Sequence, residues 1–253
     1  MIHRTFVVAT LLALLVMRLP FPGHSLAASD PQADTVEAAR LLALLLDTGR
    51  LVLGDYQPVI NDPAKGDKNF GPAVFETQLA AKFLERTGVD LSTLATAAVP
   101  DSSKRALPIL VETEKQVVAE AQGVINIPGI GFKGFIPATF ATSTANRFRS
   151  HTGIYLRQTM TAPRNPRNQP DEYEIEMLKK FAEQGTGSKG QGPVSELSED
   201  KKTVRVMLPL YYNKTCLPCH GEPKGERDVS GFLREGAKEG DLGGAISVKM
   251  EIP

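Results

Sequence analysis

The sequence lacks an excess of charge of either sign, a second long apolar run and more than a pair of cysteines. Its 29 basic and 29 acidic side chains balance, and no basic run or basic-aromatic stripe occurs, so we expect no binding to nucleic acid. Hydrophobic residues make up 42% of the 253 residues, which is enough to fill a core and excludes a disordered chain. Beyond residue 30 no apolar stretch approaches membrane-spanning length, so we expect a mature protein that does not cross a membrane.

An export signal is predicted at the start of the chain. Arg4 precedes an apolar run over residues 6–17, and the small residues Ala27 and Ala28 follow. This order is typical of a secretory signal peptide covering residues 1–28, with cleavage near Ala27 or Ala28, and it predicts a periplasmic or otherwise exported protein. An uncleaved membrane anchor is the alternative, although the run is shorter than the ~20 residues that span a bilayer.

A repeat runs through the first half of the chain. Residues 57–91 match residues 122–156 at 17 of 35 positions, which indicates a duplication. In each copy a proline stands where a helix can begin without its amide, and a glycine stands where a helix can end in a left-handed conformation. Each copy therefore predicts a helix of about 15 residues.

Hydrophobic periodicity predicts the remaining elements. Apolar steps of three and four residues predict a long helix over Gln32–Leu53, and Asp171 is the expected cap of a helix that ends near Glu183. Four glycines between Gly185 and Pro193 predict a connection. Alternation of apolar and polar residues predicts three strands, at 154–159, 203–212 and 244–252, with Pro209 at a sheet edge or bulge.

These elements predict an α+β protein. Its first half is helical and its second half is largely antiparallel sheet. We expect residues 29–109 to form a helical segment with the first repeat copy and residues 110–253 to form the domain that carries the chemistry. The whole of 29–253 is expected to be one compact unit.

The two cysteines stand in the run Cys216-Leu217-Pro218-Cys219-His220, which fits the C-x-x-C-H pattern of haem attachment. Two thiols at this spacing can each bond to one vinyl group of a porphyrin, and the next residue then offers an imidazole nitrogen to the iron. Such attachment takes place outside the cytoplasm, which agrees with the predicted export signal. We therefore predict one covalent haem c held by Cys216 and Cys219, with His220 as an iron ligand.

Three other interpretations of the motif stay open. A thiol-disulfide oxidoreductase could use Cys216 and Cys219, since a helix N-terminus can lower the pKa of the first thiol. A zinc site would combine both cysteines and His220 with a fourth ligand such as His151. A plain disulfide would leave the adjoining histidine unexplained.

The second axial ligand of the iron is not fixed by the sequence. The chain has no third cysteine, so a thiolate opposite His220 is excluded. His151 is the only other histidine expected in the mature chain and is one candidate, although a solvated histidine near a helix end explains it equally well. Water and four methionines are the remaining candidates: Met160, Met177, Met207 and Met250.

Haem propionates need cationic or amide partners. Arg157, Arg164 and Asn165 stand near the predicted turn from strand to loop and are the candidates for this role. Ordinary surface charge is the alternative.

Five segments of the second half of the chain occur in the order of a known family's pattern. They are Lys133-Gly134-Phe135-x-Pro137-Ala138-x-Phe140, Thr152-Gly153, Arg164-Asn165-Pro166-x-Asn168-x-Pro170-Asp171-x-x-Glu174, Cys216-x-x-Cys219-His220-Gly221 and Gly240-Asp241-x-x-Gly244-Ala245-Ile246-Ser247-Val248. Through these segments the sequence resembles the exported single-haem c-type domains with a PAS-like fold, found alone in some bacteria and as the sensor part of some histidine kinases. The resemblance implies a PAS-like antiparallel sheet with haem held against it, behind an N-terminal helical layer that contains the duplicated segment. It also implies redox or small-ligand sensing or electron transfer, with a haem-binding module rather than an enzyme and with an unidentified redox partner or signalling protein.

Overall fold

The computed structural model describes residues 30–184 and 192–253. The predicted signal peptide, residues 1–28, lies outside the described residues, and so does most of the predicted connection over 185–193. Within the two described ranges, no helix is both long enough and apolar enough to cross a membrane.

Helix α1 (Pro31–Asp55) forms the centre of the fold. The side chain of Asp30 caps it by accepting a hydrogen bond from the backbone N–H of Gln32 at 3.0 Å, and a proline occupies the first position, where no amide is needed. Leucine and alanine cover nearly the whole circumference of the helix, so most of it is buried. The helix predicted over Gln32–Leu53 is therefore confirmed.

The two repeat copies form helices α3 (Pro72–Thr87) and α5 (Pro137–Thr152), after the short helix α2 (Gln57–Ile60). Both begin with proline and end at a left-handed glycine, Gly88 at φ 72° and Gly153 at φ 74°. Each is 16 residues long, which confirms the prediction. Both bury the same three positions, occupied by Phe75, Leu79 and Phe83 in one copy and by Phe140, Thr144 and Phe148 in the other.

The loops before these helices exchange equivalent hydrogen bonds between the copies. Asn61 of the first copy accepts a bond through Oδ1 from the backbone N–H of Lys133 at 3.0 Å. Asn126, its counterpart in the second copy, accepts one from the N–H of Lys68, also at 3.0 Å. The duplication is therefore expressed as a reciprocal contact in which each copy fixes the loop of the other.

A second reciprocal pair follows the same pattern. The side-chain amide of Gln57 donates to the carbonyl oxygen of Phe135 at 2.9 Å, and that of Gln122 donates to the carbonyl oxygen of Phe70 at 3.0 Å. These four bonds satisfy backbone groups of the loops that periodic structure leaves unpaired.

Helix α4 (Asp101–Ile125) has no counterpart among the predicted elements. It contains Pro108, and proline inside a helix removes a donor and normally signals a helix end. The 3₁₀ helix Leu91–Thr96 leads into it, and it packs against α1, α3 and α5. Residue 110, at which the sequence suggested a division, lies within α4.

The sheet has four antiparallel strands in the order β1-β4-β3-β2. They are β1 (Tyr155–Thr159), β2 (Val194–Leu197), β3 (Thr203–Tyr211) and β4 (Leu242–Glu251). The three predicted strands, β1, β3 and β4, are confirmed, whereas β2 is an additional edge strand. Together with the helices they form an α+β protein, as expected.

Pro209 lies at the point where β3 loses one neighbour. Strand β2 pairs with β3 only as far as Met207, and the register between β3 and β4 shifts between Leu210 and Tyr211. A proline in this place removes no ladder bond toward β2, which is how a strand tolerates it.

The two faces of the sheet are covered by different helices. Alternate residues of β3, including Val206 and Leu208, join the main core with α1, while Met207 faces helix α6 (Glu172–Glu183). The side chains of Asp171 and Glu174 form a reciprocal capping box at the start of α6, which confirms the predicted cap. The sheet therefore lies between a helical bundle and a single helix.

Candidate functional site

The cysteine motif lies on the long connection that follows β3. Strands β1 and β3 both run antiparallel to β4, so both finish at the end of the sheet where β4 begins. This end of the sheet, which runs across the strand ends and is not an edge strand, is here called the motif edge. Tyr212 closes the connection at its base, because its N–H donates to the carbonyl oxygen of Asp241 at 2.9 Å and its own carbonyl oxygen accepts from the N–H of Gly240 at 2.8 Å. The connection is therefore an anchored loop that returns to its starting point.

Helix α7 (Leu217–His220) is a single turn that carries the motif, with Cys216 as its N-cap. The carbonyl oxygen of Cys216 accepts from the N–H of Cys219 at 3.1 Å and from the N–H of His220 at 3.0 Å. Side chains three and four positions apart lie on one face of a helix, so this turn brings both thiols and the imidazole to the same side. Gly221 permits the tight exit, since a Cβ there would lie 2.7 Å from the carbonyl oxygen of Leu217.

The imidazole of His220 is oriented from one side. Its Nδ1 lies 2.9 Å from Oε2 of Glu235 and 3.3 Å from the hydroxyl of Tyr212, whose ring stacks on the imidazole at 4.8 Å between centroids. A carboxylate only accepts, so Nδ1 carries the proton and donates it to Glu235. This assignment leaves Nε2 with the free lone pair.

Burial keeps the ring neutral. It lowers the pKa of His220 below its ordinary value, although the hydrogen bond with Glu235 acts in the opposite direction. A neutral imidazole whose Nδ1–H is held by a carboxylate is the arrangement in which histidine ligates a metal through Nε2.

Arg164 holds the loop around this histidine together. Its guanidinium donates to Glu235 at 2.8 and 3.0 Å, to Asp228 at 2.6 Å and to the carbonyl oxygen of Cys219 at 2.9 Å. Burial alone would raise the pKa of Glu235, but the hydrogen bonds from Arg164 and His220 outweigh it and hold that pKa below its usual range. The pKa of Asp228 is lowered to about 2, because bonds from Ser230 and Arg164 outweigh the cost of its burial.

The two cysteines are free thiols and half-buried. Cys216 donates from Sγ to Oδ1 of Asn213 at 3.3 Å. Burial raises the pKa of Cys219, which is the opposite of what a nucleophilic thiolate requires. The thiol-disulfide alternative therefore gains no support from the geometry.

The zinc alternative gains none either. Across residues 30–184 and 192–253, no group of three or more His, Cys, Asp and Glu side chains is placed to hold a metal ion.

His151 does not approach the motif edge. A Cβ at Gly54 would lie 3.6 Å from Oγ1 of Thr215 and 3.9 Å from Cγ of Pro137, so the start of α5 lies near the motif. His151 lies in the last turn of the same helix, about 20 Å further along at 1.5 Å per residue.

Of the four candidate methionines, three are buried in the hydrophobic clusters and one lies at the motif edge. Met177 and Met207 are buried in the cluster beneath α6, and Met250 belongs to the main core. Met160 follows β1 at the motif edge, where a Cβ at Gly244 would lie 3.1 Å from its Cβ.

Of the predicted propionate contacts, only Arg164 touches the motif. Arg157 projects from β1 and donates to the hydroxyl of Tyr155 at 2.9 Å and to the carbonyl oxygen of Arg167 at 2.7 Å. Asn165 caps the 3₁₀ helix Pro166–Asn168, accepting from the N–H of Arg167 at 3.0 Å.

The residues that the sequence did not single out are Glu235, Asp228 and Tyr212. Each lies eight or more positions from His220 in a loop without periodicity, so no spacing rule marks it. A partner for the imidazole nitrogen could have been anticipated as a requirement, but not assigned to a position.

Comparison with known proteins gives one family. A family model described as "Tll0287-like: Tll0287" matches residues 61–251, well over half of the chain. Among solved structures, one titled "Crystal structure of the cyanobacterial heme-protein Tll0287" aligns with a TM-score of 0.41 and 16% identity, covering 61% of this chain and 97% of that chain. Comparison with curated proteins finds no match.

Proposed function

The chain belongs to the Tll0287-like family, and on that premise we propose that it is an exported haem protein with one haem bound through Cys216 and Cys219. His220 would be the proximal iron ligand. The observation that carries the proposal is the turn that brings both free thiols and a neutral, oriented imidazole to one side of α7. The protein after which the family is named is titled a heme-protein, which supports the same cofactor.

The residues present fit this group. Both sulfurs are reduced and at least partly accessible, and no bond to a described residue occupies Nε2 of His220. Nδ1, the nitrogen that a metal-bound histidine gives to an outer partner, already has Glu235.

The two thiols are the only groups of this chain that would react in the attachment. Each S–H adds across one vinyl C=C, so that a C–S bond forms at the carbon next to the ring and the hydrogen ends on the terminal carbon. No group leaves and no oxidant is consumed. Export matters because this reaction takes place outside the cytoplasm, and the predicted signal over residues 1–28 would send the chain there.

The residues around His220 act on the iron indirectly. When bound, haem supplies one-electron exchange between Fe(III) and Fe(II) with a redox partner. Glu235 would accept the hydrogen bond from Nδ1–H and so make the imidazole a stronger electron-pair donor, and Arg164 would hold Glu235 ionised and in place. Arg164 is therefore proposed as a positioning residue rather than a propionate contact, because its guanidinium already has carboxylate and carbonyl partners.

Electron transfer and ligand sensing differ in whether a second protein residue would bind the iron. Met160 lies at the motif edge and His151 at the far end of α5, so we propose Met160 as the protein ligand and His151 as a surface residue. If Met160 and His220 both held the haem iron, the chemistry supplied would be electron transfer, whereas a haem held by His220 alone would favour the sensing of a small ligand.

Haem staining after denaturing electrophoresis tests the attachment. Chain produced in cells competent for cytochrome maturation should retain colour, and the C216A/C219A double variant should lose it. Failure of the wild-type chain to stain, together with a titratable disulfide, would overturn the proposal in favour of thiol chemistry.

Optical spectra test the ligands with a matched pair of histidine variants. His220→Ala should abolish the low-spin spectrum, and His151→Ala should leave it unchanged. Met160→Leu should open the second position to carbon monoxide. A low-spin spectrum that disappears in His151→Ala would contradict the assignment of Met160.

A further inference from the structure

A polar cavity that opens to solvent lies on the surface of the molecule, outside the cysteine motif. Its volume is about 110 Å³, and it is lined by α5, the open edge of β1 and the 3₁₀ helix Pro166–Asn168. No residue of the connection 212–241 lines it. The lining side chains that carry the argument are Thr142, Asn146, Arg149, Arg157, Arg167 and Asn168.

The charges around this cavity are all positive. Arg149, Arg157 and Arg167 line it, and no lining residue is acidic. Arg157 forms an ion pair with the buried carboxylate of Glu174 at 3.7 Å, whereas Arg149 and Arg167 have no ion pair within residues 30–184 and 192–253. Arg149 and Arg167 therefore add positive charge to the lining of one cavity with no carboxylate partner in the described chain, and an anion bound there would offset that charge.

The geometry holds two of these arginines beside one ring. The guanidinium of Arg149 lies over the ring of Tyr155 at 5.1 Å, and that of Arg157 lies 5.9 Å from the same ring. Arg157 already donates to the Tyr155 hydroxyl at 2.9 Å and to the carbonyl oxygen of Arg167 at 2.7 Å, so it positions the site while Arg149 and Arg167 supply the donors. A preorganised guanidinium loses little freedom when it pairs with an oxyanion.

The floor of the cavity offers an additional donor. Asn168 is 7% exposed. Both polar atoms of its side-chain amide contact the same hydroxyl, because Nδ2 lies 3.0 Å and Oδ1 lies 3.1 Å from Oγ1 of Thr142. A side-chain amide carries two N–H groups, and one hydroxyl can accept only one of them from this nitrogen. One buried N–H is therefore left without a partner among the described residues.

We propose that this cavity binds a small oxyanion, either a carboxylate or a phosphate-type ion. The space corresponds to roughly four water molecules at about 30 Å³ each, which matches an anion of about four to six heavy atoms. Guanidinium groups suit both ligand classes, because their fork of donors pairs with two oxygens at once. The same chemistry could come from a haem propionate, and the experiment separates that source from a free anion.

Calorimetric titration of the haem-loaded protein tests the proposal, with inorganic phosphate and acetate as probes at constant ionic strength. Saturable binding with one site per chain is expected for at least one probe. Arg149→Gln should weaken it about tenfold, the loss that corresponds to ~1.4 kcal/mol. Asn146→Asp should abolish it, because the exposed Asn146 lines the cavity and the change adds a carboxylate with almost no change in size.

Arg147→Gln is the matched control. Arg147 lies on the same helix but pairs with Glu120 and does not line the cavity, so its replacement should leave the affinity unchanged. Equal weakening by Arg147→Gln and Arg149→Gln would mean general surface charge and would overturn the proposal. Absence of binding to the haem-loaded wild type would also overturn it. Binding only to the haem-free C216A/C219A variant would assign the cavity to a propionate instead of a free anion.

Discussion

At the scale of single residues, Glu235 decides how strongly His220 could donate to a metal. Its carboxylate accepts the Nδ1 proton at 2.9 Å and is held in place by Arg164 at 2.8 Å. A negatively charged partner on the outer nitrogen stabilises the more positive state of a metal on the inner nitrogen. In the proposed haem protein, this side chain would therefore favour the oxidised state of the iron.

We predict that Glu235→Gln raises the reduction potential of the haem. The amide cannot take over the charge, so the ferric state loses stabilisation. A differential loss of about 1.4 kcal/mol corresponds to a rise of roughly 60 mV for a one-electron couple. Potentiometric titration followed by the optical spectrum measures this shift.

Glu239→Gln is the control for that experiment. Glu239 lies in the same loop but is exposed and has no side-chain bond to a described residue. Its replacement should leave the potential within error of the wild type. A shift of equal size in both variants, or a fall in Glu235→Gln, would contradict the role given to Glu235.

Glu114 is a second residue with an unusual environment. Its side chain is 0% exposed in the centre of the bundle, and neither carboxylate oxygen has a hydrogen-bond partner in the described chain. It occupies space that Gly49 leaves free, since a Cβ there would lie 3.0 Å from Oε1 of Glu114 and 2.9 Å from Cε1 of Phe140. Burial raises the pKa of Glu114 well above its ordinary value of 4.5.

We predict that Glu114→Gln stabilises the fold at neutral pH and not at acid pH. The folded chain retains a proton that the unfolded chain releases above about pH 4.5, so stability falls with rising pH from there up to the raised pKa. The variant lacks this slope, which is at most about 1.4 kcal/mol per pH unit. Urea unfolding at pH 4, 5, 6 and 7 measures the difference.

Glu112→Gln serves as the comparison on the same helix. Glu112 is mostly exposed, so its replacement should change stability little at any of these pH values. A constant difference between Glu114→Gln and wild type across the whole pH range would show that the carboxyl is not protonated in the fold.

At the scale of secondary-structure elements, the two repeat copies stabilise each other through equivalent bonds to the loops before α3 and α5. Asn61 and Asn126 each accept from a backbone N–H of the other copy at 3.0 Å. Each also donates to the glutamine four positions earlier, at 3.1 Å for Asn61 and 3.2 Å for Asn126. Asn61 and Asn126, which occupy equivalent positions of the repeat, therefore make equivalent hydrogen bonds.

We predict that Asn61→Ala and Asn126→Ala destabilise the protein by similar amounts, about 1–2 kcal/mol each. Each leaves one loop amide without its partner. The midpoint of urea unfolding measures the loss, and Asn146→Ala, an exposed asparagine on α5 with no side-chain bond to a described residue, should change it by less than about 0.5 kcal/mol. A large loss for one of the two loop asparagines and none for the other would contradict the reciprocal arrangement.

Most elements of this fold follow from local signals. Proline at the start and glycine at the end mark α3 and α5, and alternation marks β3 and β4. Helix α4 could not be predicted in the same way, because Pro108 normally signals a helix end. Packing against α1, α3 and α5 offsets that cost, and no local signal in the sequence records this packing. Strand β2 is four residues long with three exposed, so its pairing with β3 defines it rather than its own sequence.

At the scale of the whole molecule, the helical bundle and the sheet form a support with two separate polar sites. The cysteine motif lies at the edge where β1 and β3 end, and the arginine-lined cavity lies beside the open edge of β1. Haem chemistry and anion binding would therefore take place at different surfaces.

The candidate site was predictable only where it is local in sequence. Cys216, Cys219 and His220 fit a spacing of three and four residues, which one helical turn converts into a common face. Arg164 and Glu235 come from distant loops that the sheet brings together, and no spacing in the sequence records that meeting. The PAS-like description of the sheet stays a prediction from resemblance.

The central claim is that the two sulfurs are thioether-linked to a haem. Intact-mass spectrometry of the denatured chain, purified from cells competent in cytochrome maturation, tests it most directly. The expected mass is that of the chain after signal removal plus one haem, and the haem should stay attached after acid extraction with acetone. A mass equal to the bare chain, with both thiols free to alkylate, would contradict it.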